Sequence, residues 1–201
     1  ENVSANTTVG TLSTTDPDSG DTFTYSLVGG DTSAFTISGS SLRTSSSFNY
    51  EADNSYSITI RATDDAGLYY NRTFTINVTN VNETPTALNL SNSSTAENQS
   101  IGTTVGTLST NDPDSGDSFT YSLVGGDTSA FSISGALLKT AAVFDYEDDN
   151  SYSVTVRSTD SEGLYHEQSF TIAVTNVNEA PTALNLSNSS IAENQSIGAT
   201  V

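Results

Sequence analysis

At 201 residues the chain is long enough for one or two domains of ordinary size. Its net charge of −19, from 24 acids against five bases, makes nucleic acid and anionic membrane surfaces poor partners, because both need clustered Lys and Arg. Only 34% of residues are hydrophobic and there is no Trp, Met or Cys, so cores must be thin and no disulfide supports them.

The chain repeats itself at an offset of 96 residues: Glu1 returns as Glu97, Asp16 as Asp112 and Pro85 as Pro181. Roughly three quarters of the first copy recurs unchanged in the second. The register divides the chain into a first repeat at 1–83 that lacks its first strand, a complete second repeat at 84–179, and the first strand of a third at 180–201. No signal-like or membrane-spanning apolar run is present, and the sequence reads as an internal piece of a larger protein with no membrane insertion.

The predicted strands of the second repeat follow in chain order. Residues 87–90 form a first strand and 105–108 a second. Residues 118–124 form a third, stopped by Gly125-Gly126-Asp127. The segments 131–133 and 137–139 pair around Ser134-Gly135. Residues 152–156 and 170–174 complete the set. No segment has helical spacing at useful length. About seven short alternating strands per repeat, with turns every ten residues or so, indicate an all-β chain of tandem immunoglobulin-like Greek-key β-sandwiches. All four prolines fall at repeat-equivalent spots outside the predicted strands.

The acids cluster beside strand ends. Glu97 stands in Ala96-Glu97-Asn98. Asp112-Pro113-Asp114-Ser115-Gly116-Asp117 follows the second strand. Asp145-Tyr146-Glu147-Asp148-Asp149 precedes the sixth, and Asp160 ends it. Asn178-Glu179 lies in the joint that closes the repeat, and Asn82-Glu83 is its counterpart in the first. Taken alone, these are loop carboxylates that keep a β-protein soluble and cap its turns.

In this order, however, they resemble a cadherin repeat. The matching motifs are Ala-Glu-Asn, Asp-x-Asp, and Phe-Asp-Tyr-Glu resembling the family's Leu-Asp-Arg-Glu. An Asp then ends the strand before the last hairpin, and Asn-Val-Asn-Glu-x-Pro resembles the family's linker. The wording Asp-Pro-Asp-Ser-Gly-Asp and Asn-Glu-Ala-Pro is similar to bacterial cadherin-like arrays. The resemblance implies cadherin-type sandwiches, with Ca²⁺ held between consecutive repeats. It assigns Glu1, Asn49, Glu51, Asn82 and Glu83 to the upper side of the first joint, and Asp112, Asp114 and Asp160 to the lower side. The next joint would use Glu97, Asp145, Glu147, Asn178 and Glu179. Asp16, Asp18 and Asp64 would face a preceding repeat. Oxygen-only ligands suit Ca²⁺, and thiol and imidazole sets for zinc are missing. Asn80, Asn176, Asn49 and Ala52 make the pattern less acidic than the family's.

Physical chemistry points the same way. Two carboxylates about 4 Å apart at an effective dielectric near 20 repel by about 4 kcal/mol. Several of them at one joint need a cation.

Catalysis is not expected. The single histidine, His166, is Tyr70 in the first copy, and no Gly-x-Ser-x-Gly elbow exists. The expected role is a calcium-rigidified adhesive array of a large exported bacterial protein, extracellular and partnered by neighbouring repeats. The alternative is a carbohydrate-binding module whose hairpin-tip rings Tyr69, Tyr70 and Tyr165 stack on polysaccharide. Against it stands the simpler placement of those rings on the sandwich itself. One more expectation follows from the register. The tail strand Ala183-Leu184-Asn185-Leu186 is a spare copy of the strand the first repeat lacks, which predicts head-to-tail self-association by strand donation.

Overall fold

A computed structural model describes residues 1–198. They form tandem β-sandwiches. The first repeat contains β1 (Thr8–Thr11), β2 (Thr24–Gly30), β3 (Phe35–Ser38), β4 (Ser41–Thr44), β5 (Ser55–Thr63) and β6 (Tyr69–Asn77). One sheet has the order β1-β4-β3 and the other β2-β5-β6. The β5–β6 hairpin runs in register from Ser55 opposite Asn77 to Thr63 opposite Tyr69.

The second repeat contains β7 (Ala87–Leu90), β8 (Ser94–Ala96), β9 (Thr104–Asn111), β10 (Thr120–Gly126), β11 (Phe131–Ser134), β12 (Leu137–Thr140), β13 (Ser151–Thr159) and β14 (Tyr165–Thr175). Its sheets have the orders β11-β12-β9-β7 and β10-β13-β14-β8. All seven predicted segments are strands. β8 is the addition. It spans three residues, too few for a readable alternation, and it pairs parallel to β14, with Ala173 opposite Ser94. Two single-turn 3₁₀ segments, Thr32–Ala34 and Thr128–Ala130, are the helical content of the described residues.

Alternation explains the burial. In β13 the pattern places Val154 and Val156 inward, both fully buried. Each repeat closes on an aromatic trio. Phe35 and Phe48 lie 5.4 Å apart with Tyr56 4.7 Å from Phe48, and Phe131 and Phe144 lie 5.6 Å apart with Tyr152 4.5 Å from Phe144. In a chain this poor in apolar residues such trios carry much of the core.

Gly125-Gly126 does not stop β10 but finishes it. In the first repeat the register slips between Leu27 and Gly29 against β5, a bulge that leaves Val28 outside. Gly126 adopts φ +74°, and a Cβ there would lie 2.1 Å from the Ser153 carbonyl oxygen. Only glycine allows that approach, so the pair is a strand feature rather than a turn.

The chain folds into two compact units that do not coincide with the repeats. The first comprises Glu1–Asn89, Leu108–Ser122 and Val156–Gln168. It thus holds the first repeat, the linker after it and the acid-bearing loops that follow β9 and β13. The second comprises Leu90–Thr107, Leu123–Thr155 and the segment from Ser169.

Candidate metal centre at the repeat joint

Within the first unit, the linker is fixed by carboxylates at both of its ends. Glu1 is buried and accepts from the Tyr50 N–H through Oε2 at 2.6 Å and from the Val81 N–H through Oε1 at 2.9 Å. The Asn82 amide donates to Asp160 Oδ2 at 3.0 Å, and the Glu83 N–H to Asp114 Oδ2 at 2.7 Å. Asp114 and Asp160 are buried. Asp160 is held by its own turn, its Oδ1 accepting from the backbone N–H groups of Glu162, Gly163 and Leu164. Asp112 Oδ1 accepts from the Asp114 N–H at 3.0 Å, as an Asx turn requires.

Two carboxylate trios result. Glu1, Glu51 and Glu83 each bring one oxygen within 4.8 Å of the others, and so do Asp112, Asp114 and Asp117. Four buried oxygens in these trios have no hydrogen-bond partner: Glu83 Oε2, Asp112 Oδ2, Asp114 Oδ1 and Asp117 Oδ2. Orphaned buried carboxylate oxygens are rare because desolvation without a partner is costly. Hard oxygens converging in this way match the coordination Ca²⁺ takes. The residues present fit that ion.

In the second unit Glu97 repeats the role of Glu1. It is fully buried and accepts from the Tyr146 N–H at 2.8 Å and the Val177 N–H at 2.7 Å. Glu97, Glu147 and Glu179 form a third trio. The Asn176 amide binds Glu147, and the Asn98 amide binds Glu179. Asn2 and Asn98 both sit at φ 59°, a left-handed conformation that Asn tolerates better than most residues. From there their amides reach Glu83 and Glu179. A fourth trio is Asp16, Asp18 and Asp21. Asp64 adds its charge to Asp21, while its Oδ1 caps the Leu68 N–H at 2.8 Å.

Asp145 lies outside the carboxylate trios, its Oδ1 accepting from the Glu147 N–H at 3.0 Å. Asn49 Oδ1 accepts from the Ala52 N–H at 2.8 Å. Asn178 is exposed. Asp117 and Asp21 were not among the expected ligands, yet both complete trios. Their signal is the third acid in each Asp-Pro-Asp-Ser-Gly-Asp run.

The hairpin-tip rings are partly occupied. The Arg61 guanidinium carbon lies 4.0 Å from the Tyr69 ring centroid, and that of Arg157 lies 4.1 Å from Tyr165. One face of each ring is therefore taken by a cation. Arg157 also pairs with Glu167, whose place in the first repeat is held by Asn71. Tyr70 remains exposed.

The charges leave a pH signature. Burial raises the Asp112 carboxyl above its ordinary range, and Asp117, Asp114 and Asp160 push the same way. Burial likewise raises Glu51, aided by Glu1, Glu83 and Asp114. Backbone donation from Tyr50 and Val81 lowers Glu1. Burial alone would raise Asp160, but donation from Asn82 and three backbone N–H groups outweighs it and lowers the group. Asp112 and Glu51 bind protons more tightly folded than unfolded. They weaken the ion-free fold at neutral pH, and the penalty is relieved as pH falls through their raised values. Glu1 and Asp160 act oppositely: their stabilisation is full above the ordinary carboxylate value and is lost as pH falls through their lowered values. In ion-free buffer the melting temperature should therefore rise on mild acidification from neutrality and fall on stronger acidification. Thermal melts across that range check it; a steady decline from neutrality downward would contradict it.

Comparison with known proteins agrees with the fold. The cadherin-domain family model matches residues 1–79 and 91–176. A search of curated proteins found no match. Among solved structures, a protocadherin gammaB7 EC3-6 cis-dimer is 26% identical with a TM-score of 0.64, over 89% of this chain and 44% of that one. The protocadherin gammaB4 extracellular domain is 29% identical with a TM-score of 0.66, over 88% and 30% respectively. Human protocadherin-24 EC1-2, at 19% identity and a TM-score of 0.70 over 86% and 90%, shares the fold. This chain thus spans less than half the length of the gammaB7 and gammaB4 chains. Two tandem family matches on a pair of β-sandwiches establish that the chain belongs to the cadherin-domain family.

Proposed function

We propose that this chain is a calcium-binding structural and adhesive segment of a large exported bacterial protein, with repeats at 1–83 and 84–179 and a third beginning at 180. The observation that carries the reading is the set of four orphaned, buried carboxylate oxygens on Glu83, Asp112, Asp114 and Asp117. The linker is tied through Asn82 to Asp160 and through the Glu83 N–H to Asp114. Any cation held by the same acids is therefore coupled to the position of the linker. When bound, Ca²⁺ would supply the positive charge that turns mutual repulsion of these carboxylates into cross-linking. The role is mechanical, not enzymatic. Extracellular placement is supported by relatives described as extracellular cadherin domains. The motif wording supports the bacterial part of the reading.

Thermal melts of the 201-residue chain test the proposal. Millimolar Ca²⁺ should raise the melting temperature, equimolar Mg²⁺ should raise it far less, and the protein should pass unretarded through immobilised polysaccharides. Equal responses to the two cations, or no response to either, would remove the calcium reading. Mg²⁺ demands tighter octahedral geometry and gives up its water reluctantly, which is why it serves as the control.

A further inference from the structure

The loop after β9 packs three acids into six residues, Asp112-Pro113-Asp114-Ser115-Gly116-Asp117. Two features fold it back on itself. Asp112 Oδ1 takes the Asp114 N–H, closing an Asx turn across Pro113. Gly116 then stands in a turn at φ 99°, a conformation that residues with a side chain rarely adopt. Asp117 is thereby returned to the first two acids, and each of the three brings an oxygen within 4.8 Å of the others.

The oxygens of these acids divide by partner. Asp114 is 7% exposed; its Oδ2 accepts from the Glu83 N–H at 2.7 Å, and its Oδ1 has no donor. On Asp112, Oδ1 is satisfied and Oδ2 is buried without a donor. Asp117 Oδ2 is a third buried oxygen left in the same state. Desolvating an anionic oxygen with no donor is costly, and this loop does so once on each of its acids. Ca²⁺ binds oxygens at about 2.3–2.6 Å, so two ligands of one ion lie at most about 5 Å apart. The loop acids meet that limit with no help from another segment.

The glutamate trio is built differently. Glu1, Glu51 and Glu83 come from three segments well separated in sequence, and they share no member with the loop trio. The link between the two is a backbone group, the Glu83 N–H on Asp114 Oδ2, rather than a common carboxylate.

We propose that Asp112, Asp114 and Asp117 hold a cation of their own within this one loop, with Asp117 as the ligand that frees the site from the acids of the first repeat. The proposal rests on the calcium reading and sharpens it. An ion on the glutamate trio depends on three distant segments being brought together, whereas the loop ion depends on a six-residue turn. Filling the loop also fixes Asp114, whose other oxygen seats the linker.

Calorimetric titration of Ca²⁺ into the metal-free 201-residue chain tests it with Asp117→Asn, Glu51→Gln and the double variant. Asp117→Asn should weaken one ion per chain by about tenfold or more, since a charged ligand is lost. Its circular dichroism spectrum should be unchanged. Its melting temperature in EDTA should be no lower than that of the wild type, because the carboxylate removed has a buried oxygen with no donor. Glu51→Gln should weaken a different ion and leave the loop ion as in the wild type, so the double variant should be impaired in both. If the wild type binds Ca²⁺ and the Asp117→Asn isotherm superimposes on it, the loop site is wrong while the calcium reading stands. If the two single variants weaken the same ion and the double variant weakens no other, the trios form one site and the proposal is overturned. A wild type that binds no Ca²⁺ overturns both.

Discussion

Asp114→Asn should remove most of the rise in melting temperature that calcium gives the wild-type chain. One ion at about 100 times its dissociation constant stabilises by roughly 2.7 kcal/mol, which for a chain of this size is roughly 5–10 °C. Asp114 is chosen because it serves both purposes of the joint. Its Oδ2 accepts from the Glu83 N–H, and its Oδ1 is buried without a partner. Asparagine keeps the size and one acceptor oxygen, so the linker contact survives while a charged ligand is lost. In ion-free buffer the variant should melt at or slightly above wild type, because one charge of a repelling trio is gone. A variant that keeps the full calcium response would show that the cation sits elsewhere.

Glu97→Ala should destabilise the protein by about 2–4 kcal/mol whether or not calcium is present, because it strands two backbone donors and removes charge-assisted hydrogen bonds. The side chain is fully buried, and its two oxygens take the N–H groups of Tyr146 and Val177. These belong to the loop after β12 and to the joint after β14, so one carboxylate ties two segments far apart in sequence. Glu97→Gln should be milder, since one oxygen remains to accept. Urea denaturation in EDTA measures both. A loss that vanishes in EDTA would mean that Glu97 acts only through the ion, and would contradict its structural role.

The strands and the acidic loops were legible because both rest on short-range patterns. Alternation marked the strands correctly, down to Val154 and Val156 facing inward. β8 escaped because a three-residue parallel partner has no period of its own. Gly125-Gly126 read as a stop because glycine usually breaks strands; here a positive φ and a close carbonyl at Gly126 demand glycine instead. The motif order pointed to Glu1, Glu51, Glu83, Asp112 and Asp114, which fall in two separate carboxylate trios. It also pointed to Asn49 and Asp145, whose Oδ1 atoms accept from N–H groups of their own loops, as Asp112 Oδ1 does. Sequence order says which acids lie near a joint, whereas the fold decides which of their oxygens are left without a donor. Asp117 and Asp21 were hidden by the opposite effect: a tight Asp-Pro-Asp-Ser-Gly-Asp turn folds the third acid onto the first two.

The central claim is that the acids of the joint form a calcium site. Calorimetric titration of Ca²⁺ into the metal-free chain tests it most directly, run beside a variant with Asp112, Asp114 and Asp117 all changed to Asn. The account predicts saturable binding by the wild type and the loss of at least one bound ion per chain in the variant. Absence of binding up to millimolar Ca²⁺, or an unchanged number of ions in the variant, would contradict it.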